Sequence, residues 1–149
     1  MRVLVAGGAG FLGSHLCDAL LARGDRVLCV DNLLTGSRET VSHLGAHPRF
    51  EMLEHDIVEP LGDVGPVDAV VNLASPASPR DYLALPLETL AVGSTGTSNL
   101  IDLAVARDAV FFQASTSEVY GDPEVHPQTE EYCGNVNPVG ERLSLIHIS

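Results

Sequence analysis

The stretch Val5–Leu16, VAGGAGFLGSHL, decides how the rest of this chain is read. It joins an apolar run, Arg2–Ala6, to a helix-like segment, Phe11–Arg23. Gly7, Gly10 and Gly13 form G-x-x-G-x-x-G, while Gly8, Gly10 and Gly13 also satisfy G-x-G-x-x-G. A strand that passes into a helix through such a run needs glycine for three reasons: a tight turn, backbone approach to a pyrophosphate, and close helix–strand packing. The helix N-terminus adds free amides and partial positive charge. A plain tight turn would satisfy the glycine spacing too, so the context has to separate the two readings. Asp31 closes the next apolar run, Arg26–Asp31, eighteen residues past Gly13. That is near the ~20-residue offset of the acid that holds the adenosine ribose hydroxyls of a dinucleotide. A carboxylate there repels a 2′-phosphate, so the expected cofactor is NAD and not NADP.

Outward from this turn, short apolar runs alternate with helix-like segments. Phe50–His55, Ala69–Ala74 and Ala109–Ala114 are further strand candidates, and Leu87–Arg107 contains a long helix. The alternation indicates an α/β fold, a Rossmann-type doubly wound parallel sheet. Ser75–Pro86, SPASPRDYLALP, is proline-rich and reads as a loop leaving the carboxyl end of a strand. Gly121–Gly140 is a second Pro/Gly-rich stretch after a strand. Ligands of open parallel sheets bind beyond the carboxyl ends, so both stretches are expected to line a site.

The 149 residues suffice for one domain, and 45% hydrophobic against 19% charged residues is a globular balance. Eight Lys and Arg against twenty Asp and Glu give a net charge of -12, which argues against nucleic acid or an anionic membrane as partner. Backbone amides can still bind phosphate without basic side chains. Cys17, Cys29 and Cys133 lack C-x-x-C spacing, which suits reduced thiols in a cytoplasmic protein. The apolar run directly after Met1 leaves no room for a secretion signal, and no stretch has the length to span a bilayer. The histidines show no ligand spacing with the cysteines, so no metal site is expected, and Glu130–Glu131 reads as a solvated loop pair.

The glycine turn and Asp31 resemble the start of an extended short-chain dehydrogenase/reductase. Asn72–Pro79 (NLASPASP), Ala114–Gln128 (ASTSEVYGDPEVHPQ) and Gly134–Arg142 (GNVNPVGER) are similar, within that superfamily, to the UDP-glucuronate decarboxylases. The resemblance runs from Arg2 to Arg142 and implies a nucleotide-binding domain over residues 1–142. It implies that Gly7, Gly10, Phe11, Leu12 and Gly13 form the pyrophosphate turn, and that Asp31, Asn32, Thr35 and Gly36 surround the adenosine ribose. Asp56 and Ile57 would meet adenine; Leu73, Ser75 and Ala114 would line the nicotinamide side. Leu61, Tyr82 and Asn99 would face the nucleotide sugar. Gly93 departs from the pattern, since many superfamily members carry Asn there.

Ser115–Gly121, STSEVYG, admits two readings: capping hydroxyls at a strand exit, or chemistry. In the second, Thr116 bonds the sugar hydroxyl being oxidised, Glu118 handles proton transfer or electrostatic control, and Ser117 positions the substrate carboxylate or a water. The reaction that the resemblance implies is loss of CO₂ from UDP-glucuronate to give UDP-xylose. Removal of hydride from C4 leaves a ketone β to the carboxylate, which accepts the electron pair when CO₂ departs; the hydride then returns. A sugar-nucleotide 4,6-dehydratase or epimerase shares the C4 oxidation and stays open as an alternative, as does a non-catalytic NAD-binding module. Members of the superfamily usually form homodimers.

The resemblance also places a Tyr-x-x-x-Lys pair shortly after Arg142, at positions where this chain has Leu145 and Ser149. Leu143–Ser149, LSLIHIS, alternates like a short strand. It is also what the DNA of a transposon mosaic end used in sequencing libraries encodes. The seven residues are therefore expected to be a non-native tail, on a fragment that lacks the later strands and the substrate domain.

Overall fold

In the computed structural model residues 1–136 are described, and the tail expected at 143–149 lies outside them. One compact unit spans Met1–Ala114 and a second begins at Ser115. The first is a five-stranded sheet of β1 (Arg2–Ala6), β2 (Arg26–Asp31), β3 (Phe50–Glu54), β4 (Ala69–Asn72) and β5 (Val110–Gln113). All pairings are parallel and the spatial order is β3-β2-β1-β4-β5. This is the doubly wound order, which reverses between β1 and β4 and opens a crevice at their carboxyl ends.

The central strands are apolar through their middles because both faces are covered there. Their pleat sends Val3 and Val5 to one side with Val27 and Cys29, where helix α1 (Phe11–Arg23) packs Cys17, Leu20 and Leu21 against them. Leu4, Ala6, Leu28, Val30 and Val70 go to the other side, beneath Leu100 and Ala104 of a later helix. Val3 pairs with Val27 on one flank and with Ala69 on the other, so every glycine-turn residue inherits its position from a buried register. Helix α1 stops at Gly24, left-handed at φ 100°. The N–H of Gly24 donates to Leu21 and that of Asp25 to Leu20, each at 3.0 Å, a Schellman closure.

The loop expected over Ser75–Pro86 is irregular chain at residues 75–78, of which Ser75 and Pro76 line a groove, and helices take up most of the rest. Pro79 opens helix α2 (Pro79–Ala84) and Pro86 opens α3 (Pro86–Ala91). Each proline stands in the first helical turn, where the missing N–H has no partner to lose and the fixed φ is already helical. The long helix expected over Leu87–Arg107 is interrupted: α3 passes through a π-helical turn, Val92–Gly96, into α4 (Thr97–Ala106). The Ser94 hydroxyl donates to the Leu90 carbonyl at 2.6 Å within that widened turn. Strands β3, β4 and β5 are also shorter than expected; at β4 the Asn72 side chain accepts the Ala74 N–H and turns the chain out of the sheet.

The second unit holds a 3₁₀ turn, Ser117–Tyr120, and an irregular segment closed by a bridge between Gly121 and Asn135. Tyr120 and Tyr132 stack at 6.0 Å between centroids. Among the described residues no helix is long and apolar enough to cross a membrane.

Candidate functional site

The glycines of the turn do different work. Gly7 has φ +74°, and a Cβ there would lie 2.8 Å from the backbone of Leu73 and Ala74, so it presses the turn against the exit of β4. A Cβ on Gly8 would lie 2.6 Å from the Cys29 Sγ beneath it. At Gly13 it would collide with the Gly7 carbonyl, because α1 starts hard against the strand. Gly10 differs: its nearest neighbour is the Gly7 oxygen at 3.3 Å, and it opens onto a groove. Gly10 also caps α1 without a side-chain hydrogen bond, and no acid occupies the first turn. The first amides of α1 are thus left for an anion.

The groove has a volume of about 280 Å³. Of the predicted residues, Gly7, Gly10, Asp31, Asn32, Thr35, Gly36, Asp56, Ile57, Leu73 and Ser75 line it. Asp31 is buried at the end of β2, its two oxygens accepting the Ala9 and Leu33 N–H groups at 2.9 Å each. This ties the glycine turn to the β2 exit and leaves lone pairs for ribose hydroxyls. Gly36 is needed there, since a Cβ would lie 3.0 Å from the Asp31 Oδ1. Asn32 donates to Asp56 Oδ2 at 2.9 Å, and Asp56 Oδ1 accepts the Val58 N–H at 3.0 Å. Below the turn, the shared hydrogen bond with Cys17, and then burial, hold the Cys29 thiol well above the usual range.

Other predicted residues stand elsewhere. Phe11 and Leu12 are exposed at the head of α1, and Gly13 lies behind the turn as a packing position. Leu61 packs against the core on the α4 side of the sheet, and Tyr82 is buried in α2. Asn99 gives its side-chain amide to the carbonyls of Ile57 and Val58. Ala114 extends the sheet, its N–H donating to Asn72 at 3.0 Å. Thr116, Ser117 and Glu118 belong to the second unit, where the Thr116 hydroxyl accepts the Glu118 N–H at 3.2 Å and caps the 3₁₀ turn. The capping reading of that hydroxyl is therefore realised.

Sequence reasoning missed one wall. Glu88, Ala91 and Val92 line the groove from α3 and the turn that follows it. Their spacing is that of one helical face, but spacing alone names no face as the inner one. Among the described residues the charged groups of the lining are Asp31, Asp56, Glu59 and Glu88, with His55 beside them and no Lys or Arg. A phosphate here would rely on backbone amides and neutral donors such as the Thr35 and Ser75 hydroxyls. Among the described residues no three His, Cys, Asp or Glu cluster as a metal site would require.

A doubly wound sheet with a glycine turn, an acid closing β2 and a groove between them defines a dinucleotide-binding class. Residues 3–141 match the NAD dependent epimerase/dehydratase family, and the chain belongs to it. It is 51% identical over 142 residues to UDP-glucuronic acid decarboxylase 1 of Arabidopsis thaliana, covering 95% of this chain and 32% of that protein. Against UDP-glucuronic acid decarboxylase 1 of Xenopus tropicalis it is 52% identical, covering 95% and 33%. The chain spans about a third of the length of these curated relatives. The fold is also that of a dTDP-glucose 4,6-dehydratase from Streptomyces venezuelae solved with NAD bound, at TM-score 0.82 and 31% identity, covering 92% of this chain and 46% of that one.

Proposed function

We propose that the groove binds NAD and that a longer protein carrying this chain decarboxylates UDP-glucuronate to UDP-xylose. The observation that carries the cofactor is the pairing of Gly10, open to the groove at an uncapped helix head, with the buried Asp31 carboxylate. Gly7, Gly10 and the first amides of α1 would hold the pyrophosphate, and Asp31 the ribose hydroxyls. Asp56 would accept the base's exocyclic amine, with Leu73 and Ser75 on the nicotinamide side. When bound, NAD supplies the reversible uptake of a hydride. Identity near one half to decarboxylases, against 31% to the dehydratase, favours decarboxylation over the 4,6-dehydratase alternative.

In this reading Thr116 donates to the sugar hydroxyl, Ser117 orients the substrate carboxylate, and Glu118 holds or moves a proton near the reacting carbons. Leu145 and Ser149 stand where the resemblance expects the tyrosine base and its lysine. Neither can take a proton as a phenolate does, so the 149-residue chain is proposed to hold cofactor without turnover. The exposed Leu87 and Leu90 of α3 and Ile101 and Val105 of α4 support a homodimer of the whole protein. The free cysteines among the described residues support a cytoplasmic setting.

Calorimetric titration tests the cofactor. The 149-residue chain is expected to bind NAD, to bind NADP at least about tenfold more weakly, and to lose that preference in Asp31→Asn. No heat with NAD at millimolar concentration would sink the reading. Carbon dioxide released from UDP-glucuronate by the 149-residue chain would overturn the assignment of turnover to the missing pair.

A further inference from the structure

The loop that leaves β3 forms one wall of the groove, from His55 to Glu59, and it is not part of a helix or strand. An irregular wall has to take its shape from side chains. Asn99 of α4 supplies it: one amide nitrogen donates to the carbonyls of Ile57 and Val58, each at 2.9 Å. Asn99 itself does not line the groove. One turn earlier, Gly96 makes room for the Ile57 side chain, since a Cβ there would lie 2.8 Å from its Cγ1. The wall is thus held twice: its backbone by the Asn99 side chain of α4, and its Ile57 side chain against Gly96, the last residue of the π-helical turn.

The grip is transmitted to the polar end of the wall. Val58 accepts from Asn99 through its carbonyl and donates through its N–H to Asp56 Oδ1, while Asn32 donates to Asp56 Oδ2. Asp56 is therefore oriented from both sides. An amide nitrogen carries two hydrogens, and those of Asn99 are committed to two carbonyls.

We propose that Asn99 is a positioning residue for base recognition. It fixes the Asp56–Val58 wall so that the Asp56 carboxylate meets an amino group and disfavours an oxo group at the same place on a purine. The inference rests on the dinucleotide reading of the groove and adds to it a residue outside the groove that sets base specificity.

The test compares wild type with Asn99→Ala, Asn99→Asp and, as a control in the same helix, Leu100→Val, a fully buried position. Amide hydrogen exchange is read over residues 56–59, and affinity is read for NAD and for nicotinamide hypoxanthine dinucleotide, which carries an oxo group in place of the amine. Asn99→Ala is expected to speed exchange in that segment by about tenfold and to bring the ratio of the two affinities toward one. Asn99→Asp, which sets an oxygen against the two carbonyls, is expected to do the same or more. Leu100→Val is expected to lower the melting temperature while leaving the affinity ratio and the local exchange pattern of wild type. Unchanged exchange at 56–59 in Asn99→Ala, or a preserved ratio, overturns the proposal. Wild type that binds neither dinucleotide sinks the reading of the groove instead, and the exchange arm still decides whether Asn99 holds the wall.

Discussion

Gly13 and Cys29 show how single residues carry the nucleotide turn. A methyl group at 13 has nowhere to go, because its neighbour is a backbone carbonyl of the same turn and not a flexible side chain. Gly13→Ala is expected to cost stability at the upper end of the ~1–3 kcal/mol range for overpacking, read as a shift in the urea midpoint. Gly10→Ala, with one contact at 3.3 Å, is expected to keep most of that stability and to weaken NAD binding instead. The cysteines give a separate check. Cys17 and Cys29 are buried, with the Cys29 thiol pushed upward, whereas Cys133 is exposed. One thiol per native chain is expected to react promptly with a disulfide reagent, and three after denaturation; prompt reaction of all three in the native state would contradict the packing. The glycines and Asp31 were legible in the sequence because a turn needs its residues at fixed local spacing. Cys29 beneath Gly8 was not, since a different strand, β2, brings it there.

Among the elements, the exit of β4 depends on a buried polar knot. Asn72, 1% exposed, donates to Gln113 at 2.9 Å and to Thr97 at 3.2 Å, and accepts the Ala74 N–H at 3.1 Å. It thus joins β4, β5 and α4 at the point where the chain turns toward Gly7. Asn72→Leu strips partners from three groups at once, and an equilibrium denaturation series is expected to show a loss of ~1–3 kcal/mol. A neutral result would mean that the three groups find water. The loop entering β4 is expected to respond to pH. The Gly65 N–H, and then Arg107, hold the Asp63 carboxyl below the usual carboxylate range. A lowered value contributes stability above the ordinary carboxylate range that is lost as pH falls through the lowered one. Asp63→Asn is expected to flatten the acid limb of the melting curve slightly, the group being exposed. Helix α2 shows where local reading fails: Pro79 reads as a breaker, yet its place in the first turn makes it a starter.

At the largest scale, the sheet among the described residues ends at β5, where Val110 and Phe112 are 67% and 56% exposed. An edge strand without a charge or a proline invites pairing with another chain. Phe112→Lys is expected to raise the soluble, monodisperse fraction seen by light scattering, and wild type that stays monodisperse at high concentration would refute this. The sequence by itself determined the alternation of strands and helices, the glycine turn, the acid that closes β2 and the class of cofactor. Each of these is written in neighbouring residues, through a period of two, a helical period or a fixed offset. Tertiary structure alone decided that Glu88 and Val92 face the groove, that Asn99 reaches a loop 42 residues away, and that Asn72 ties three elements together. Those facts depend on which faces meet once the sheet has closed its register, and contacts between distant segments leave no local period to read.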